Sequence, residues 1–456
     1  MQPIPGFDDT IAAISTPPGR SAIAVIRLTG PRAHEIVARV VTPWRDTERS
    51  AYLTALCDPV NGELIDRPLV TVYRGPASYT GEDMAEISVH GGHVVPALAL
   101  AALITAGARI AHPGEFTRRA VLNGKMDLLQ AEAVGDIIDA GSRAMHHAAL
   151  NQLDGGLTRR ISALRESILE LEALIAYDID FPGEDDGPLA PQRIATATAH
   201  LVGSLDSVLA TSETGELIRG GATVVIAGAP NVGKSSLFNA LIGYGRAIVT
   251  DLPGTTRDAL EALIDVGEWP VRLIDTAGIH ETSDVIERLG IEVSEQWLRR
   301  ADIVLACGDS TELLLQAVTQ VTSRTAAPVL PVRTKGELAS EGASIAEWPH
   351  PPVIVSAHTG AGLAELSRRI QVELTEKHGE RVHDAPLLTR ERHRHAVALA
   401  HQELINFEEA WHNGAVPVSI AAVHLRTATG ALEDLIGIVG VEEVLGRVFS
   451  SFCVGK

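Results

Sequence analysis

The 456-residue sequence predicts a multidomain protein of α+β and α/β parts. Three observations carry that prediction. Residues 1–122 mix short β-rich runs with turn signals and two helical stretches. Residues 123–219 and 381–456 read as helical. Residues 220–380 alternate short apolar strands with helical stretches, the pattern of a doubly wound sheet. The simplest assembly is one helical domain made from two chain segments, with the α/β domain inserted between them. Such insertions succeed at exposed sites, because domain termini usually lie close together. At about 150 residues per domain, the length gives a prior of about three domains.

In the first module, Ser21 to Leu28 reads as a buried strand ended by Thr29-Gly-Pro31. Pro68 to Tyr73 and Met84 to Val89 read as two more, closed by Arg74-Gly-Pro76 and Gly91-Gly92. Pro31 to Val41 and Pro96 to Ala106 read as helices, the first opened by its proline. Asp127 to Ala140 is helical in composition. Leu157, Ile161, Leu164, Ile168, Leu171 and Ile175 then follow the three-and-four spacing of a bundle or coiled-coil helix. The acidic turn Phe181 to Gly187 ends it, and a helix from Gln192 to about Leu217 follows. In the α/β part, Thr223 to Ala227, Val271 to Ile274, Ile303 to Ala306, Val329 to Val332 and Val353 to Val355 are the predicted strands.

Composition narrows the function classes. Hydrophobic residues at 45% and charged residues at 21% are globular values and exclude disorder as the main state. A formal net charge of -20 excludes nucleic-acid binding by bulk electrostatics. Cys57, Cys307 and Cys453 are few, odd in number and far apart, which points to a reducing, cytoplasmic setting. Residues 1–10 lack the basic-then-apolar pattern of a signal peptide. The apolar run Val94 to Ile104 contains Pro96 and is too short to span a bilayer, so no membrane role is expected.

The chemistry is concentrated in the inserted domain. Gly228-Ala-Pro-Asn-Val-Gly-Lys-Ser235 matches G-x-x-x-x-G-K-S between a strand and a helix, the context a phosphate-binding loop needs. Its backbone N–H groups and the helix N-terminus favour phosphate oxygens. Asn231, Val232, Gly233, Lys234, Ser235 and Ser236 are therefore nucleotide-binding candidates. Lys234 reaches the β- and γ-phosphates and counts as catalytic, and Ser235 is placed to ligate Mg²⁺. The loop Thr250-Asp251-Leu252-Pro253-Gly254-Thr255-Thr256 offers a threonine, Thr256, to complete the Mg²⁺ shell. Asp275-Thr276-Ala277-Gly278 ends a strand, with Asp275 facing Mg²⁺ through water. Thr334-Lys335-Gly-Glu337 stands where a guanine-reading Asn/Thr-Lys-x-Asp belongs. Lys335 stacks on the base and Glu337 accepts its N–H groups through a longer arm. Ser356-Ala357-His358 packs against the purine. The order of these segments predicts GTP and GDP as ligands. Ile279 follows Gly278 and cannot orient a water, so another group must assist hydrolysis. Asp284 and Glu287 are the candidates, against a reading of both as a solvated helix face.

The whole chain resembles the MnmE (TrmE) family of tRNA-modification GTPases. The N-terminal module carries Thr16-Pro-Pro-Gly-Arg20, Tyr79-Thr-Gly-Glu-Asp83, His90-Gly-Gly92 and Pro113-Gly-Glu-Phe-Thr-Arg-Arg-Ala120. The helical part opens Leu122-Asn-Gly-Lys-Met-Asp-Leu128, and the chain ends Phe452-Cys-Val-Gly-Lys456. The resemblance implies an N-terminal α+β domain that dimerises and binds folate, a discontinuous helical domain and an inserted Ras-like P-loop GTPase domain. It also implies K⁺-dependent GTP hydrolysis coupled to installing an aminomethyl-type group at C5 of the wobble uridine of certain tRNAs. The implied partners are a homodimeric second copy, a flavin- and NADH-using protein of the MnmG (GidA) kind, and tRNA held mostly by that partner.

By the same resemblance, Asn231, Thr250, Leu252 and Thr255 match the positions whose oxygens surround K⁺, and Glu287 matches the glutamate that orients the attacking water. Arg257 and Asp258 match the end of the switch motif. Arg27, Glu86, Lys125 and Lys456 match the folate site for 5-formyltetrahydrofolate or a related folate. Cys453 is a candidate nucleophile or acid–base group beside a one-carbon donor; a small packed residue is the other reading. Cys57 and Cys307 read as structural. His90 and His93 suggest a metal only weakly, lacking Cys or carboxylate at ligand spacing. Two further readings compete with RNA modification: a GTPase switch in ribosome assembly, and a stand-alone folate-dependent one-carbon enzyme.

Overall fold

A computed structural model describes residues 8–180, 191–244, 260–275, 296–338, 351–379, 386–413 and 418–437, together with 452 and 455. The chain divides into two compact units, Met1–Gly135 with Glu433–Lys456, and Asp136–Leu432.

The first unit is built on two sheets. Strands β1 (Ile11–Ile14), β2 (Ile23–Thr29), β4 (Tyr52–Leu53), β7 (Leu69–Tyr73), β8 (Met84–His90) and β9 (Arg109–Ile110) form a six-stranded sheet in the order β4-β7-β8-β2-β1-β9. Strands β3 (Val41–Thr42), β5 (Ala55–Cys57) and β6 (Leu64–Asp66) form a smaller one. Strand alternation sorts the large sheet's faces. Ala24, Ile26 and Leu28 of β2 join Val70, Val72, Ala85 and Ile87 in a core with Ile36 and Val37 of helix Ala33–Val40 and Leu103 of helix Val94–Thr105. The opposite face carries Val25, Arg27, Tyr73 and Glu86, none fully buried.

A buried ion network closes this unit. Arg119, 3% exposed, donates to Asp9 Oδ1 at 2.6 Å, to Glu115 Oε1 at 3.1 Å and to Glu82 at 3.3 Å. Arg109 donates to the same Asp9 and Glu115 at 2.6 Å each. The Pro113-to-Ala120 and Tyr79-to-Asp83 motifs thus meet through charge. The chain's end returns to this unit: Phe452 packs on the cluster of Leu128 and Ala131, and Ser15 Oγ donates to the Gly455 carbonyl at 3.0 Å.

In the second unit, the predicted stripe from Leu157 to Ile175 is buried along helix Gly156–Asp180. The single helix expected from Gln192 to Leu217 is two, Pro191–Leu209 and Ser212–Gly220. The interruption has a use: Thr211 Oγ1 accepts the Leu388 backbone N–H at 3.1 Å. Helices Arg143–Leu153 and Glu391–Asn413 complete the set, and Val418–Ile436 begins here.

The α/β sheet contains β10 (Ala222–Gly228), β11 (Leu260–Val266), β12 (Trp269–Asp275), β13 (Ile303–Gly308), β14 (Val329–Arg333) and β15 (Val353–Ile354), in the order β11-β12-β10-β13-β14-β15. All neighbours are parallel except β11 with β12. Strand β11 was not among the predicted strands, because two carboxylates interrupt its apolar run; it survives as an edge strand. The strand order reverses at β10, with β12 on one side and β13 on the other, and this opens a crevice at the carboxyl end of β10. The helical part joins this sheet through Arg272, which donates to the Gly220 carbonyl at 2.6 Å, and Asp265, which accepts the Arg143 N–H at 3.2 Å.

Candidate functional site

The crevice holds the phosphate loop. Gly228 ends β10 at φ +153°, and a Cβ there would lie 2.3 Å from the Cys307 carbonyl oxygen, so only glycine lets β13 approach. Asn231 turns the loop at φ +63°, a conformation asparagine tolerates better than most residues. Helix Lys234–Tyr244 then starts with its N-terminus toward the loop. Lys234 is 6% exposed and donates to the carbonyls of Gly228 at 3.0 Å and Ala229 at 2.8 Å. Burial lowers its affinity for a proton, and the charge of Asp275 opposes that. Asp275 is fully buried at the end of β12, opposite Ile226 of β10. Ser235 is exposed in the first helical turn. Its hydroxyl and the Asp275 carboxylate are hard oxygen donors of the kind Mg²⁺ takes.

Beside the loop lies a cavity of about 470 Å³, lined by Gly233, Ser236, Leu237, Asn239, Ala240, Thr334, Lys335, Glu337, Val355, Ala357 and His358. Three separate predicted segments therefore face one space. The Thr334 hydroxyl donates to the Val232 carbonyl. Lys335, at φ +53°, donates to the Asn231 carbonyl at 3.0 Å and pairs with Asp309 Oδ2 at 2.7 Å. Ser356 Oγ accepts the Thr359 N–H at 3.2 Å and, more than any other group, holds the exposed Glu337 carboxylate below its ordinary range. A cavity of this size lined by the Lys335 stem, Ala357 and the acceptor Glu337 suits a flat, polar heterocycle.

Asp309, Leu237, Asn239 and Ala240 were not among the predicted residues. Asp309 carried a signal: it follows a buried strand at its carboxyl end, where ligands of such sheets bind. The other three read as ordinary helix positions. Cys307 is fully buried in β13, where burial pushes its thiol up to about 12, in keeping with a structural role.

The second candidate site lies on the open sheet face of the first unit. Arg27 and Glu86 sit opposite each other in the β2–β8 register, with Nε donating to Oε1 at 2.8 Å. The Tyr73 hydroxyl donates to Glu86 Oε2 at 3.3 Å. The Arg27 guanidinium stands 5.8 Å from the Tyr79 ring centroid, and the Tyr79 hydroxyl bonds Thr117 Oγ1 at 2.8 Å. Lys125 donates to the Pro76 carbonyl at 3.0 Å, in the same loop as Tyr79. Tyr73 and Tyr79 were missed as site residues, since cross-strand register is not readable from spacing. A guanidinium, a carboxylate and two phenols on one half-open face suit a ligand with both acidic and N–H groups.

Thr250, Asp251, Leu252, Pro253, Gly254, Thr255, Thr256, Arg257, Asp258, Thr276, Ala277, Gly278, Ile279, Asp284, Glu287, Cys453 and Lys456 lie outside the described residues.

Strand order and the loop at β10 put the α/β part among P-loop nucleotide-binding proteins, and the Thr-Lys-x-Glu and Ser-Ala-His segments around its base cavity narrow this to the GTPases. Comparison with known proteins extends the assignment to the rest of the chain. The family model described as "MnmE helical domain" matches residues 128–453, and that described as "GTP-binding protein TrmE N-terminus" matches residues 10–125. The chain belongs to this MnmE family of tRNA-modification GTPases. It is 41% identical to the "tRNA modification GTPase MnmE" of Moorella thermoacetica, over 99% of this chain and 100% of that protein. The protein of the same name from Aquifex aeolicus is 39% identical over 98% and 100%, and that from Methylobacterium radiotolerans 43% over 98% and 99%. Among the described residues, no helix is long and apolar enough to cross a membrane.

Proposed function

We propose that the chain is a K⁺-dependent GTP hydrolase. Its cycle serves the installation of a carboxymethylaminomethyl-type group at C5 of the wobble uridine of certain tRNAs. It acts as a homodimer with a flavin- and NADH-using partner of the MnmG kind, and a reduced folate such as 5-formyltetrahydrofolate is the one-carbon donor. Family membership supports the tRNA substrate. The observation that carries nucleotide hydrolysis is the buried Lys234, acted on by the charge of the buried Asp275 and next in sequence to Gly233, which lines a cavity with Lys335, Glu337 and His358.

Each group takes one task in this reading. Lys234 exchanges its two carbonyl partners for phosphate oxygens. Ser235 would hold Mg²⁺ directly, Thr256 would complete its shell, and Asp275 would reach it through water. Glu337 accepts the guanine N–H groups. Asn231 turns its backbone toward the phosphates and offers a side-chain oxygen to K⁺, with Thr250, Leu252 and Thr255 as the remaining ligands. A monovalent cation held by these residues would supply positive charge to the phosphates, the role an arginine finger fills elsewhere. Glu287 orients the attacking water. Arg27, Glu86, Lys125 and Lys456 hold the folate, and Cys453 stands beside the one-carbon unit. At a net charge of -20, the chain leaves most of the tRNA binding to its partner.

Turnover of GTP in K⁺ and in Na⁺ at equal ionic strength tests the hydrolytic part. Turnover at least about tenfold faster in K⁺ is expected; equal rates would refute the cation's role.

A further inference from the structure

The open sheet face carries a second pair of chemistry-bearing side chains. Glu86, Ser88 and His90 alternate along β8 on one face. The register sets Arg27 opposite Glu86 and Ile23 opposite His90. Four residues of strand, about 13 Å, separate the Arg27–Glu86 pair from His90. The His90 side chain is 72% exposed, whereas that of Asp66 is only 9% exposed. Asp66 grips His90 twice: Oδ2 accepts its backbone N–H at 2.8 Å, and Oδ1 lies 2.7 Å from Nδ1. A carboxylate on Nδ1 keeps a proton there and turns Nε2 outward. Among the described residues, nothing bonds Nε2.

The backbone beneath the ring is fixed as well. Gly91 donates to the Ala22 carbonyl at 3.2 Å, and a Cβ on it would lie 2.2 Å from the Ser21 carbonyl oxygen. The His90-Gly-Gly92 turn is thus clamped to the end of the loop that begins Thr16-Pro-Pro-Gly-Arg20. A solvent-facing imidazole held by a nearly buried carboxylate on a rigid turn has the form of an acid–base group, with ring orientation and tautomer set in advance.

We propose that His90 is an acid–base group for one-carbon transfer on this face, with Asp66 as its positioning residue. This rests on the folate reading above. A reduced folate lying along β2 and β8, its polar ring edge on Arg27 and Glu86, brings N10, the one-carbon-bearing nitrogen farther from that edge, toward His90. The imidazolium Nε2–H gives its proton to the folate nitrogen as the bond from that nitrogen to the one-carbon unit breaks. The bonding pair stays on nitrogen, and the carbon forms its new bond to the incoming nucleophile. The neutral imidazole then takes the proton that the nucleophile loses. Folate N–H and nucleophile–carbon bonds replace folate N–carbon and nucleophile–H bonds, so atoms and electrons balance.

The experiment uses the full chain with its flavoprotein partner and compares wild type with His90→Ala, His90→Gln and Asp66→Asn. Single-turnover tRNA modification, GTP turnover and equilibrium binding of 5-formyltetrahydrofolate are measured in parallel. His90→Ala and His90→Gln should lower the modification rate about a hundredfold or more. GTP turnover and folate affinity should stay within about twofold of wild type, and added imidazole should restore part of the rate of His90→Ala alone. Asp66→Asn should lower the maximal rate without weakening folate binding. Unchanged modification by His90→Ala, in a wild-type background that binds folate and modifies tRNA, would overturn the role of His90 alone. A loss matched by equal loss of folate affinity and not rescued by imidazole would mark His90 as merely structural. A wild type that binds no folate would overturn both this inference and the folate reading beneath it.

Discussion

Lys335 Nζ donates to the carbonyl of Asn231 at 3.0 Å, so the base-facing segment is tied directly to the phosphate loop. The neighbouring Thr334 hydroxyl donates to the Val232 carbonyl. Base recognition and phosphate binding are one hydrogen-bonded unit, and damage to one should be felt by the other.

Thr334→Val is the direct test of that coupling. It keeps the shape and removes the hydroxyl at a position only 4% exposed. The Val232 carbonyl loses its donor, at a cost of about 1–3 kcal/mol. Affinity for GTP and GDP should fall by roughly tenfold or more, although Thr334 need touch neither base nor phosphate. Isothermal titration of both nucleotides measures it, and unchanged affinities would refute the coupling.

Glu337→Gln addresses base choice. Xanthine presents an oxygen where guanine has its amino group, so a carboxylate repels it and an amide donates to it. A site built around such bonds discriminates strongly. The variant should shift preference from GTP toward XTP by about tenfold or more, measured by competition binding. A variant that still prefers GTP as wild type does would remove Glu337 from base recognition.

Lys234→Ala should abolish most hydrolysis. The side chain holds the loop through the Gly228 and Ala229 carbonyls and carries a buried positive charge that interacts with Asp275. Removing one electrostatic group of this kind costs about 100-fold or more in rate. Folding of the α/β part should survive, as read by circular dichroism. A rate within a few-fold of wild type would contradict the placement of the phosphates.

Acid and Arg119 report on the first unit. Burial alone would raise the Glu115 carboxyl, but hydrogen bonds from Arg109, the His112 N–H and Arg119 outweigh it and hold it below its ordinary value. Asp9 is lowered in the same way, burial opposing and the two arginines prevailing. A carboxylate lowered in the folded state contributes stability above its unfolded value, near about 4, and loses it as pH falls further. Arg119→Met leaves Arg109 as the remaining partner of Asp9 and Glu115 and takes a guanidinium from Glu82; it should cost about 3 kcal/mol at neutral pH. It should also flatten the fall of stability between about pH 5 and 3. Thermal melting across that range measures both effects; a variant as acid-sensitive as wild type would refute the network's role.

The sequence made the phosphate loop and its strand–helix setting plain, because glycine spacing and the apolar strand before it are local signals. The buried stripe on helix Gly156–Asp180 was equally plain from its period. Edge strand β11 was not, since its two carboxylates are tolerated only at an edge. Asp309 carried only the signal of its place after a strand; its pairing with Lys335, 26 positions away, was not legible. The same is true of Arg27 with Glu86, which strand register pairs, and of Asp66 with His90, which meet from two different sheets; no spacing rule reports either. Motif resemblance drew attention to Tyr79-to-Asp83 and Pro113-to-Ala120, but not to the charges that join them.

The central claim is that this GTPase serves modification of wobble uridines. Deleting the gene and analysing tRNA nucleosides by mass spectrometry tests it most directly, with complementation by wild type and by Lys234→Ala. C5-modified wobble uridine should disappear on deletion, return with the wild-type gene and not return with Lys234→Ala. Undiminished C5 modification in the deletion strain, with no second enzyme of this activity present, would contradict it.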